Sequence, residues 1–319
     1  MLKTKKILLI SNYLFGYIEQ IEKNLIDNQH SVEVLYFDKL PLQFKYSNFF
    51  ERIYNFFLKL FSQDIKKKHR EKYLINYLHH KHFDTILVIH GHNLNENTHK
   101  KLKEHTDYLV TYFCDSMSKV KEQKFTYQYY DDVFSFDKED CIKYNFKFIT
   151  NFYYTNNYIS NDYTYEIFTI MAQDTRMPIF INIINYLNEI KIKKNIILKI
   201  KKPFSMEGIS ITKKQIPLHE SLVLLKNTKI VLDIQRPKQL GLTFRVFEAI
   251  ANHKKLISTN IDIEKYDFYH PENIYILKDT ENISIPVDFL SKPFLVDKIP
   301  ESFDKYSIEN FNKVVFKLN

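Results

Sequence analysis

Short apolar runs that alternate with helix-period stretches constrain this chain more than any other feature. Residues Ile7, Leu8, Leu9 and Ile10 form an unbroken apolar run inside segment 5–11, which reads as a buried strand. Segment 16–28 then sets Ile18, Ile21, Leu25 and Ile26 on one side of a helix, and 31–37 returns to a strand pattern. A long helical region over 47–80 follows. Next come a strand at 85–89, a helix at 96–104, a strand at 108–113, and short strands at 132–135 and 146–149. The pattern then restarts, with strands at 165–171, 195–200, 229–234, 255–259 and 273–277. Helices fall between them at 178–187, 218–226 and 242–251, and a closing helix spans 306–318. Such alternation is the signature of parallel α/β units.

No internal repeat or low-complexity linker interrupts the order, and 319 residues at 45% apolar content can bury two cores. The expected architecture is α/β, as two consecutive doubly wound halves. These are Rossmann-like domains over 1–155 and 156–319, facing a cleft. In such sheets ligands bind at the carboxyl ends of strands, so the loops that follow strands are where chemistry is sought. Only Cys114 and Cys141 are present, which argues against a disulfide framework and fits a reducing compartment. Four apolar residues near the N-terminus are too few for a signal-peptide core, and no stretch reaches about 18 uncharged apolar residues. The expectation is a cytoplasmic protein, peripheral on the inner face of the plasma membrane. The formal charge of +8 and pI of 9.0 suit phosphorylated ligands or anionic lipid. Part of that charge follows a composition typical of A/T-rich codons. No zinc-finger, RNA-recognition or helix-turn-helix pattern stands out, so no nucleic-acid partner is expected.

The most informative segment is 232–260. It carries Gly241, Leu242, Thr243, Arg245, Glu248 and Ala249 in a Gly-Leu-Thr-x-Arg-x-x-Glu-Ala pattern. A second stretch pairs Asp115-Ser116 with the run 133–140. Together they resemble bacterial glycosyltransferases of the GT-B type that build lipopolysaccharide and capsular polysaccharide. The resemblance implies transfer of a sugar from a nucleotide-sugar donor, UDP-linked, to a growing cell-surface polysaccharide or lipid-linked oligosaccharide. It implies no resident cofactor.

The residues support that chemistry on their own terms. Gly241 lets the backbone approach a ligand, and a helix starting near Thr243 turns its free N–H groups and dipole toward an anion. Arg245 adds a fork suited to a diphosphate, and Glu248, nearly one turn on, can accept both hydroxyls of a ribose. The structural alternative is an exposed Arg–Glu pair on a surface helix. Arg176 follows the strand ending near Met171 at a crossing where relatives carry a Gly-rich loop, and Ala172-Gln173-Asp174-Thr175 stands there instead. Asp174 or Thr175 capping the next helix is the alternative there. Arg236 follows the strand ending at Ile234, with a solvated loop arginine as its alternative.

An inverting transferase needs a base for the acceptor hydroxyl, and the candidates are Asp115, His92 and His90, in that order. The alternatives are loop histidines with local hydrogen bonds and Asp115 as an N-cap for a helix from Ser116. Spacing supplies no third ligand beside His90 and His92, so no metal site is expected. No Asp-x-Asp occurs in the chain, which favours metal-independent stabilisation of the leaving group. Finally, Phe49, Phe50, Ile53, Tyr54, Phe56, Phe57, Leu60 and Phe61 recur at helical spacing ahead of the basic run Lys66 to Arg70. That segment, 49–70, reads either as a surface for anionic lipid or as a core-facing helix with a solvated turn. Because fold does not fix function, two other readings stay open on this scaffold. One is a non-catalytic nucleotide-binding or assembly protein; the other is a non-glycosyl transferase, such as a pyruvyl or phosphosugar enzyme.

Overall fold

A computed structural model describes residues 4–61, 63–155, 157–237 and 240–318. The chain divides into two compact units. One runs through Ile149 and is rejoined by the chain from Asn312, and the other is Thr150–Phe311. The last turn of the chain therefore belongs with the first unit rather than with the 156–319 half.

The first unit begins with β1 (Lys6–Ser11), α1 (Tyr17–Asp27) and β2 (Ser31–Tyr36). The expected helical region over 47–80 is two helices, α2 (Phe49–Leu60) and α3 (Ile65–Leu78), with Asp64 capping α3 through Lys66 N. Then follow β3 (Phe83–Val88), α4 (Glu96–Glu104), β4 (Thr106–Phe113), β5 (Asp132–Ser135), α5 (Lys138–Tyr144) and β6 (Lys147–Phe148). The strands form one parallel sheet in the order β2-β1-β3-β4-β5-β6.

The second unit starts with β7 (Tyr165–Ala172), α6 (Met177–Glu189), β8 (Lys194–Lys199) and β9 (Ser210–Thr212). It continues with α7 (Leu218–Lys226), β10 (Thr228–Asp233), α8 (Phe244–Ala251), β11 (Lys255–Ser258) and β12 (Ile274–Ile276). The short α9 (Val287–Ser291) follows. The closing α10 (Ile308–Val315) is shorter than expected, because a 3-10 turn at Glu301–Tyr306 precedes it. The second sheet, also parallel, has the order β12-β11-β10-β7-β8-β9. Strand β9 escaped the sequence reading because it has only three residues, none of them fully buried.

Period-two alternation explains the apolar runs. Along β7 and β10, Ile167, Met171, Ile230 and Leu232 pack with Ile183 and Ile184 of α6 on one face. Their neighbours Phe168 and Val231 pack with Val246 and Phe247 of α8 on the other. A strand covered on both faces has no polar side to show, so it reads as continuous apolar sequence. In the first unit Leu8, Ile10, Ile86, Val88 and Leu109 pack in the same way with Leu74, Leu78 and Leu102.

Two lysines sit inside the second unit where β11 begins. Lys254 is 0% exposed and Lys255 1%. Their ammonium groups donate to main-chain carbonyls, Lys254 to Lys226 and Ser160, and Lys255 to Phe289 and Lys292. Burial, helped by neighbouring lysines, pushes both pKa values down to about 8. The unfolded chain titrates these groups at the ordinary lysine value of 10.5 and so holds more protons between pH 8 and 10.5. Stability should rise with pH across that window and level off below about pH 8, where both states hold the protons. Urea midpoints measured from pH 7.5 to 9.5 should climb in the wild type and climb less in Lys254→Met/Lys255→Met.

Candidate functional site

The second sheet reverses direction between β7 and β10. From β7 the chain winds outward through β8 and β9, then returns to β10 on the other side. Loops at such a switch point diverge and leave room at the carboxyl ends. The loop after β7 contributes Asp174 and Arg176, and the loop after β10 contributes Arg236. The Asp174 carboxylate accepts from Arg176 N at 3.0 Å, from its Nε at 2.9 Å and from its Nη2 at 2.9 Å. It also accepts from Arg236 Nε at 3.2 Å and lies 3.1 Å from Arg236 Nη2. Arg176 Nη1 donates to Ile234 O at 3.0 Å, so one guanidinium spans both loops. Burial works to raise the Asp174 carboxyl, but the Arg176 hydrogen bonds and both arginine charges hold it below its ordinary value.

Asp174 is not the helix cap weighed from sequence. The N-cap position of α6 is Arg176, and Asp174 closes a turn two residues earlier while serving as the common anchor of two arginines. Beneath this cluster lies Asp233, the last residue of β10, which is buried and accepts from Thr243 Oγ1 at 2.9 Å and Ser258 Oγ at 3.2 Å. Burial pushes its carboxyl up, opposed by those hydroxyls and by the charges of Arg176 and Arg245. Sequence reading passed over Asp233. The available signal was a carboxylate ending the otherwise apolar run Ile230, Val231, Leu232. Gln235 steadies the loop above by donating from Nε2 to Gly241 O at 3.3 Å and from N to Thr259 Oγ1 at 2.8 Å. Of the segment 232–260, residues 238 and 239 lie outside the described residues.

Thr243 is the N-cap of α8, as expected, yet its hydroxyl turns to Asp233 instead of capping the helix. The exposed Arg–Glu pair weighed as an alternative is excluded, since Glu248 is 3% exposed. Glu248 sits beside Tyr154, whose hydroxyl is pushed up first by burial and then by the Glu248 charge. The Arg245 guanidinium lies 5.5 Å from the Phe168 ring centroid, and its Nη1 is 3.5 Å from Ser221 Oγ. Arg176, Arg236 and Asp233 therefore meet at the switch point, with Thr243 and Gly241 on the adjoining loop. Arg245 and Glu248 stand on α8 itself, with the Arg245 charge acting on Asp233.

The first sheet has its own switch point, between β1 and β3, and there the histidine loop follows β3. The left-handed residue in this loop is His90, at φ 63°, and not Gly91. Gly91 is required for space, since a Cβ there would lie 2.1 Å from the Tyr130 hydroxyl oxygen. Burial is the main cause that lowers His90 to about 4, and it also lowers His92. The Nδ1 atoms of both rings are buried without a hydrogen-bond partner among the described residues. Asp115, after β4, pairs with Lys119, and its main-chain oxygen accepts from Gln123 Nε2 at 3.1 Å. No helix begins at Ser116; a turn runs from there into a 3-10 helix at Lys121–Phe125, so Asp115 is not an N-cap. Asp140 of α5 accepts from Met117 N at 2.7 Å, which ties the 133–140 run to the Asp115 loop. Spacing offered only two ligands here, but the fold adds others. His90, Cys114 and Asp115 bring one ligand atom each within 4.8 Å of one another, with His90 Nε2 3.9 Å from Cys114 Sγ. Such a set suits a soft divalent cation.

No known protein-family model matches the chain, and no curated protein matches it in sequence. Among solved structures, it is similar to the UDP-GlcNAc 2-epimerase from Methanocaldococcus jannaschii. The TM-score is 0.55 at 12% identity, covering 98% of this chain and 99% of that one. The UDP-GlcNAc 2-epimerase from Neisseria meningitidis bound to UDP-GlcNAc gives a TM-score of 0.53 at 10% identity, covering 98% of each. At such identities the likeness is one of fold: two Rossmann-like units of the GT-B class, each with a six-stranded parallel sheet.

The Asp233 cluster makes a prediction about the second unit. Asp233→Ala should cost about 1–3 kcal/mol by leaving buried hydroxyls and nearby arginine charges unmatched, and Asp233→Asn should cost less. Chemical denaturation of the full chain measures both.

Proposed function

We propose that the chain is a glycosyltransferase that draws on a UDP-linked sugar and extends a surface glycan of the lipopolysaccharide or capsule kind. The acceptor in this reading is a saccharide or lipid-linked saccharide, met on the inner face of the plasma membrane. The observation that carries it is the pair Arg176 and Arg236, held on Asp174 at the switch point of the second sheet. Two preset guanidiniums suit a diphosphate and offset the charge that grows on it as it leaves. Thr243 and Gly241 line the adjoining loop, and the helix that starts there carries Arg245 for the diphosphate and Glu248 for the ribose hydroxyls.

On the acceptor side the proposal uses Asp115, His92 and His90. The acceptor oxygen forms a bond to the anomeric carbon, the bond from that carbon to the phosphate oxygen breaks, and UDP leaves with the electron pair. The acceptor's proton passes to the base. Burial favours the neutral, proton-accepting form of both histidines, whereas Asp115 is engaged by Lys119. A second reading comes from the UDP-GlcNAc 2-epimerases of like fold: epimerisation at C2 of UDP-GlcNAc.

Assays of UDP release from UDP-sugars, with saccharide acceptors present, test the proposal. Arg176→Ala and Arg236→Ala should each lower kcat/KM by about 10²-fold. Asp115→Asn, His92→Ala or His90→Ala should lower kcat by about 10²–10⁴-fold in whichever carries the base, with donor binding preserved. A C2 epimer recovered with its nucleotide attached would select the second reading, and wild-type rates in both arginine variants would remove the switch point from the site. Turnover should also survive excess chelator. Loss on chelation with recovery on added divalent metal would move attention to His90, Cys114 and Asp115.

A further inference from the structure

Helix α2 is built inside out. Its polar residues Glu51, Arg52, Asn55 and Lys59 fall on one stripe, as expected for an amphipathic helix. In a helix packed on a core, the opposite, apolar stripe faces inward. Here Asn55 of the polar stripe faces inward at 1% exposed, with Glu51 half-buried beside it, while Arg52 and Lys59 at the edge of the stripe stay exposed. Its side chain clasps the next turn, with Oδ1 accepting from Ile65 N at 2.9 Å and Nδ2 donating to Tyr46 Oη at 2.6 Å and Asp64 Oδ1 at 3.1 Å. Lys59 adds an ion pair to Asp64 at 3.4 Å. The apolar side chains stand in solvent, from Phe50 at 79%, Leu60 at 68% and Phe56 at 64% to Phe57 at 55%, with Phe61 just beyond at 77%. The core-facing alternative for this helix is thereby excluded.

We infer that α2 is a membrane-insertion helix, which buries its aromatic side chains in the interface of an anionic lipid bilayer while its polar stripe stays clasped to the protein. At about 100° per residue the exposed apolar positions cover about 160° of the circumference. A single packed helix covers an apolar stripe of about 100°, whereas fluid acyl chains close around a convex surface of any width. At 12 residues, about 18 Å, the helix is too short to cross a bilayer and suits an in-plane position. No helix among the described residues is long and apolar enough to span. The charges that border it match anionic headgroups. Lys45, Arg52, Lys59 and Lys68 are exposed, while the nearest acids, Glu51, Asp64 and Glu71, are engaged with Ser47 N, Asn55, Lys59, Asn95 and Asn97. The buried Arg70, bonded to Asn93, is structural and lies outside this set. The inference stands apart from the donor reading, since it concerns a surface of the first unit alone.

The test uses the full chain and vesicles of phosphatidylglycerol with phosphatidylcholine, or of phosphatidylcholine alone. The chain has no tryptophan, so Phe57→Trp supplies a single reporter. Its emission should shift to the blue and resist aqueous quenchers with anionic vesicles at low salt, and revert as salt rises. Flotation of the wild type should follow the same pattern. Phe50→Ser/Phe57→Ser should weaken partition by at least about tenfold, with its melting temperature unchanged because both side chains are exposed. The inference is overturned if the wild type binds neither vesicle, binds neutral vesicles equally well, or binds as well with both serines in place. It is also overturned if α2 proves to join two copies of the chain, seen as a dimer that the serine variant dissolves without any partition into vesicles.

Discussion

Parallel strand pairing is the constraint on which everything else in this chain rests. Neighbouring parallel strands need a crossover long enough to return the chain to its starting edge, and helices serve as those crossovers on both faces. With both faces covered, the interior of each strand has no use for polarity. Functional groups are displaced to the carboxyl ends, where the loops part. Asp233 and Ser258 are the last residues of β10 and β11. Asp174, His90 and Asp115 each lie within a few residues of a strand end.

At the second switch point the governing interaction is one carboxylate shared by two guanidiniums. Holding Arg176 and Arg236 on Asp174 settles the side chains before any ligand arrives, and so removes part of the ordering cost of binding an anion. Asp233 works from below, bonded to α8 through Thr243 and to β11 through Ser258. It thereby fixes where the α8 N-terminus stands relative to the strand ends. The same logic of a polar clasp recurs far from this cluster, where Asn55 holds α2 by hydrogen bonds alone and frees its apolar side from packing.

Much of this was legible in the sequence, because doubly covered strands leave unmistakable apolar runs. Segments 31–37, 96–104 and 132–135 match their elements closely, and 218–226 coincides with α7. What was missed follows from length and context. β9 is too short for a period, and α5 rests on its Asp137 cap more than on apolar spacing. At the site, Arg176 and Arg236 stand out from their positions after strands, but whether Asp174 caps a helix or pairs with them stays open, because sequence does not show which way a loop carboxylate turns. Arg245 and Glu248 lie three residues apart on α8, but nothing local reveals that Glu248 is buried while Arg245 stays partly exposed. The helix over 49–60 shows the same ambiguity. An apolar stripe has one period whether it meets a core or a membrane, and only the burial of Asn55 decides which side is in.

The proposed transfer requires a nucleoside diphosphate held at the β7–β10 switch point of the second unit. A crystal structure of the protein with UDP tests it most directly. Diphosphate oxygens should then lie within hydrogen-bond distance of the Arg176 and Arg236 guanidiniums, with the nucleoside beside Gly241 and Thr243. UDP seated in the first unit, or at a place that leaves both arginines on Asp174 alone, would contradict it.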